Sequence, residues 1–278
     1  MNIRKNAVAG RFYPEKKEEL EKFFNYFYEV EKQHLKTKLY KYELIGGIVP
    51  HAGYIYSGRI TYHFFDFLKN NENKLDTIVI IAPNHTGLGP DIASDLSEEW
   101  ETPIGNIKVD KEFINDLEIE ISSEAHKYEH SIEVVIPFIK YYINENVKIV
   151  PIIMKEQSYQ NSLKLAKKIL GAAKLSEKKI LVIASSDFSH YVDADYGKKL
   201  DEIAIKKIID KDAIAFFKCV CDDQISICGY GPIAVLIEYS KMVSNCAEFT
   251  VLKSGSSGEI SGGEEVVDYV SMAVFKKD

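Results

Sequence analysis

Four short runs of branched apolar residues constrain this chain more than any other feature: "ELIGGIVP" ending at Pro50, "LDTIVIIAP" ending at Pro83, "NVKIVPIIM" ending at Met154 and "KKILVIASS" ending at Ser186. Each is too short for a core helix and apolar at odd and even positions alike, the pattern of a strand buried on both faces. Three are followed by segments with helical spacing of apolar residues, "SGRITYHFFDFLKN", "SYQNSLKLAKKILGAAK" and "YGKKLDEIAIKKIID". Strands that alternate with helices predict an α/β fold: one open, mixed and largely parallel sheet with helices on both faces, in three layers. Residues 1–278 read as a single domain, because no linker divides them. The late runs "AEFTVLKSG" and "EVVDYVSMAVF" are expected to complete the sheet at an antiparallel edge. The "SGSSGEISGGEE" between them reads as a loop without regular structure.

The charge pattern narrows the partners. The net charge is -7, and lysines and glutamates are scattered along helical segments, so no basic stripe marks a nucleic-acid or anionic-membrane surface. No apolar run approaches the ~20 residues of a membrane span, and "MNIRKNAVAGRFYP" is too polar for a secretory core, so the expected compartment is the cytoplasm. Only Arg4, Arg11 and Arg59 are arginines among 35 basic residues. Arg11 and Arg59 stand in unusual motifs and are candidates for holding an anionic substrate, whereas Arg4 reads equally well as a solvated surface residue.

In an open α/β sheet ligands collect beyond the carboxyl ends of the strands. His51 follows "IGGIV", His85 follows "TIVIIAPN", and Asp187, Ser189 and His190 follow "KILVIASS". A lone histidine in such a loop is commonly a cap; two after successive strands point to one shared metal site. Asp187 can orient a ring or take a proton, and His190 can act as acid or base near neutral pH. In "EAHKYEHSIEVVIPF" a continuous helix would align His126, His130 and Glu133 on one face, which makes His130 and Glu133 candidates for supporting the site and His126 a weaker one. Cys228 precedes the turn "GYGP", which opens an apolar helix whose N-terminus would favour the thiolate, although a buried inert thiol fits the segment too. Cys219, Cys221 and Cys246 form no paired metal knuckle, His63 reads as a packed core residue and His34 as a solvated one.

Six segments, "AVAGRFYP", "PHAGYIYSG", "APNHTGLG", "YEHSIEVVIPF", "SSDFSHY" and "ICGYGPIAVL", resemble in sequence and order the Memo family, over nearly the whole chain. That family is similar in fold to the class III extradiol dioxygenases, which are non-haem iron enzymes. The resemblance implies His51, His85 and Cys228 as ligands of iron or copper, with zinc as a further option, and Asp187 and His190 as residues of the same pocket. His190 would match the dioxygenase base. Tyr54 and Tyr56 would wall the pocket. The dioxygenases complete their two-histidine site with a carboxylate; a cysteine there softens the metal site and argues against ring cleavage. The implied function is a metal-binding redox protein or oxidoreductase. Its alternatives are a binding module that grips a peptide in an enzyme-like pocket and a zinc hydrolase. Radical-SAM and AMMECR-type proteins are the partners the resemblance implies.

Overall fold

The structure, a computed structural model, describes residues 2–71, 74–143 and 146–277. Its strands are β1 (Ile3–Arg4), β2 (Glu43–Val49), β3 (Thr77–Pro83), β4 (Ile92–Ser94), β5 (Glu99–Trp100), β6 (Ile107–Lys108), β7 (Glu120–Ile121), β8 (Lys148–Met154), β9 (Ile180–Ser185), β10 (His190–Asp193), β11 (Ala247–Ser256) and β12 (Glu265–Lys276). The large sheet runs β10-β12-β2-β9-β3-β8-β4-β7, with β11 also paired to β12; β1, β5 and β6 make a small separate sheet.

The four apolar runs are β2, β9, β3 and β8, side by side and mutually parallel, so their carboxyl ends share one edge. "Largely parallel" holds for this centre and for β4 with β7, but not for the rest of the sheet. β12 pairs antiparallel with β2, β10 and β11, and β4 pairs antiparallel with β8. The late strands are therefore not a simple edge: β12 is interior and reaches three neighbours because its twelve residues outrun any one of them. The glycine-rich connection between β11 and β12 also carries a helical turn, Gly258–Ser261.

Two glycines explain how both faces of β2 are covered. A Cβ at Gly46 would overlap Leu236 and the Val182 carbonyl, and a Cβ at Gly47 would overlap the Phe64 ring. Successive residues of a strand face opposite sides, so the helix Tyr230–Val243 lies on one face of the sheet and the helix Tyr54–Asn70 on the other. Phe64, Phe65 and Phe67 of the latter are fully buried, each contributing roughly 1.5–3 kcal/mol relative to exposure. The helix Lys17–Glu31 packs outside it through Phe24 and Phe27, and the helix Tyr159–Ser176 covers Tyr230–Val243 from the far side.

The continuous helix expected around His126, His130 and Glu133 does not form. Helix Ser123–Lys127 stops before Tyr128, and helix Ile136–Tyr142 begins only after a looped stretch. The side chain of Glu129 accepts main-chain N–H groups of His130 and Ser131, which replaces helical bonding there.

Candidate metal centre

Because β9 lies between β2 and β3, the loops leaving these strands bring His51, Asp187 and His85 to one place. The ring centroids of His51 and His85 are 5.3 Å apart. Ligating atoms of His51, His85 and Cys228 all lie within 4.8 Å of one another. Cys228 arrives in the loop leading to helix Tyr230–Val243, with its Sγ 3.3 Å from His51 Nε2.

The His51 tautomer follows from its neighbours. Ser185 Oγ donates its one proton to the Ser131 carbonyl at 2.7 Å, so toward His51 it offers a lone pair. The 2.8 Å contact from His51 Nδ1 must then be N–H donation. The neutral ring keeps its free lone pair on Nε2, facing Cys228. Burial, reinforced by the nearby His130 and His85, holds the His51 pKa well below the ordinary histidine value, so the neutral form is the resident one.

Glu129 performs the same service for two rings. Its carboxylate accepts from Nδ1 of His85 and Nδ1 of His130, each at 3.1 Å. It also accepts the main-chain N–H groups of His85, Thr86, His130 and Ser131. Burial alone would raise its pKa; the hydrogen bonds from His130 and His85 outweigh that and keep it ionised. With its lone pairs occupied, Glu129 is an orienting group for two imidazoles whose Nε2 atoms stay free. His130 stacks on His85 at 4.8 Å and lies 5.4 Å from His51, so three imidazoles line the pocket.

Asp187 is buried and accepts the main-chain N–H of His51 at 2.8 Å. Its own N–H donates to Cys228 Sγ at 3.3 Å. The helix N-terminus does not decide the state of the thiol as the sequence suggested: burial and the adjacent Asp187 push the Cys228 pKa up. A bound cation reverses that balance by supplying the missing positive charge. His190 begins β10, where its Nδ1 donates to the Ser226 carbonyl at 2.7 Å and Nε2 is left free. The next residue, Tyr191, adopts φ +55 and is 74% exposed.

Other candidates lie elsewhere. Glu133 binds Arg4, the main-chain N–H groups of Ala7 and Val8, and the Tyr13 hydroxyl. It thereby pins the N-terminal segment, in which Gly10 at φ +80 turns the chain and Phe12 packs on His130 at 4.7 Å. Arg4 is buried over Trp100 rather than solvated. Arg11 is exposed and bonds the Ala7 carbonyl, and Arg59 pairs with buried Glu31, as does His63. Tyr54 sits in the aromatic core against Phe138, its hydroxyl donating to the Val134 carbonyl, so it does not wall the pocket. Tyr56 is half-exposed. His126 is buried beside Trp100, and its ring Nε2 donates to the Ala93 carbonyl at 3.2 Å. Ser185, Glu129 and Phe12 were not legible as site residues; for Glu129 the only signal was its position next to His130.

The profile of the family described as "Memo-like protein" matches residues 4–273. The chain belongs to that family. A MEMO1 family protein of Pyrobaculum aerophilum is 40% identical over 99% of this chain and 100% of its own length. One from Saccharolobus solfataricus is 38% identical over 95% and 96%, and one from Methanosarcina mazei 36% over 99% and 100%. Among solved structures, an uncharacterized protein from Escherichia coli K12 superposes with a TM-score of 0.52 at 12% identity, covering 84% of this chain and 100% of that one, which is a likeness of fold. Among the described residues of this Memo-like chain, no helix is long and apolar enough to cross a membrane.

Proposed function

We propose that this Memo-like protein binds one iron or copper ion through His51 Nε2, His85 Nε2 and Cys228 Sγ and works as a redox protein or oxidoreductase. The observation that carries the reading is the tautomer control: Ser185 and Glu129 use up the Nδ1 protons of His51 and His85, which leaves both Nε2 lone pairs free on two rings that each bring a nitrogen within 4.8 Å of the Cys228 sulfur. Two imine nitrogens and a sulfur suit iron, copper or zinc, and the sulfur favours the softer of these. When bound, such a metal supplies electron transfer and an open position for a small ligand.

The chain's own residues then have defined tasks. Asp187 fixes the His51 loop through the main-chain N–H and, through its own N–H, stabilises negative charge on sulfur. His190 offers Nε2 to take or give a proton, its other nitrogen being anchored on Ser226. Phe12 packs on His130 from the N-terminal segment. A metal completed by a cysteine in place of a carboxylate favours redox or ligand-handling chemistry over ring cleavage.

X-ray absorption at the iron and copper edges, on protein loaded without oxygen, tests the ligand set. One sulfur and two imidazole nitrogens per metal is the expected result. A metal environment without sulfur contradicts the proposed ligand set, and protein that takes up no metal favours a pocket that binds peptide or small molecule without metal chemistry.

A further inference from the structure

Beneath the pocket loop lie two carboxylates that the metal site does not use. Asp201, on helix Ala194–Ile209, and Asp268, on β12, are 5% and 8% exposed. Asp201 Oδ1 accepts both the N–H of Ser189 at 3.2 Å and its hydroxyl at 2.7 Å. The Asp268 backbone brackets the same segment: its N–H donates to the Ser189 carbonyl at 2.8 Å and its carbonyl accepts from Phe188 at 2.9 Å. Both carboxyl groups border the same cleft and hold the same segment, yet neither has an ion-pair partner within 4.0 Å among the described residues, and buried Asp268 Oδ2 has no hydrogen-bond partner. Two buried carboxylates at one cleft cannot both ionise cheaply.

We infer that Asp201 and Asp268 share one proton and that this protonated pair is a latch positioning the Asp187–His190 segment. Asp201 Oδ1 is committed to Ser189, which leaves its other oxygen for the shared proton. Burial, followed by the proximity of Asp268, pushes the Asp201 pKa up to about 8. The groups around the pair do not neutralise it. Asp195, Lys198 and Glu202 from the same helix and Glu259 from the turn before β12 line the roughly 410 Å³ cleft above it, one cation against three further acids. Tyr269 of β12 also lines the cleft, and His190, a further neighbour, is anchored to Ser226. Loss of the proton sets two negative charges against each other between helix and strand, and the segment they hold loosens. The functional consequence for Asp187 and His190 rests on the pocket reading above; the latch itself does not.

Amide hydrogen exchange on metal-free protein separates the two. Protection factors at Phe188, Ser189 and Asp268, corrected for intrinsic rates, are expected to fall about tenfold between pH 6 and pH 9, while amides of β3 hold steady. Asp268→Asn supplies an amide donor to Asp201 without a shared proton and should flatten that dependence; Asp201→Ala should lower protection at every pH. A flat profile in the parent, or the same tenfold fall in Asp268→Asn, overturns the latch. Should Asp268→Asn not fold, carbon-13 titration of the two carboxyl groups in the parent decides: one step above pH 7 supports sharing, and two ordinary steps below pH 5 refute it. Either result leaves metal binding to be judged separately.

Discussion

Glu129 grips His85 twice, at the main-chain N–H and at ring Nδ1, the latter at 3.1 Å. That double hold fixes where the His85 loop stands and which nitrogen of the ring stays free. Since the same carboxylate also orders His130, one buried residue organises two of the three imidazoles.

Glu129→Gln keeps the shape but offers one acceptor oxygen and adds donors, so the Nδ1 protons of His85 and His130 lose their fixed partner. Metal affinity is expected to fall about 10–100-fold with the fold retained. Chelator competition beside thermal melting measures both quantities, and unchanged affinity in a folded variant removes Glu129 from the account.

Metal binding should release one proton per ion at pH 7. Burial keeps His51 below and Cys228 above their ordinary pKa values, so the ring is already neutral and the thiol is the group that must deprotonate. Affinity then rises about tenfold per pH unit through neutrality. Calorimetry in buffers of different ionisation enthalpy reads the proton directly; release of none, or an unchanged count in Cys228→Ser, contradicts this.

Gly47→Ala tests the layering of β2 between its helices. Its new methyl would meet the Phe64 ring and the Met272 carbonyl, and overpacking of this kind costs about 1–3 kcal/mol. Urea unfolding should show that loss, and a neutral result would mean that helix Tyr54–Asn70 yields more easily than its burial implies.

Glu31 lies fully buried beneath Arg59, His63 and Lys253. Burial works to raise its pKa, but hydrogen bonds from His63 and Arg59 win and lower it. A lowered carboxylate pKa stabilises the fold above the unfolded value near 4.5, and that contribution disappears as pH falls through the folded value. Glu31→Gln should cost about 3 kcal/mol at pH 7, the low end for a broken buried pair because Arg59 and Lys253 keep contact with water. Stability curves from pH 7 to pH 3 should show the gap between parent and variant closing.

The parts of this architecture that were readable in sequence are those governed by local pattern. Runs apolar at every position gave the parallel centre, and the rule that loops meet at strand carboxyl ends brought His51, His85 and Asp187 together. What escaped depends on long-range pairing. β12 reaches β2, β10 and β11 through register choices that its alternation alone does not encode. Helical spacing around His126, His130 and Glu133 misled because Glu129 captures main-chain groups and breaks the helix. Ser185 looks like the end of a buried strand, and only the carbonyl of Ser131, 54 residues away, makes it a tautomer lock.

The most direct test of the metal reading is the metal content of protein purified without oxygen from cells supplied with iron, copper and zinc, measured beside His51→Ala, His85→Ala and Cys228→Ala. Near one iron or copper per chain in the parent, lost in all three folded variants, is the predicted result. A parent without metal, or folded variants that keep it, contradicts the proposed site.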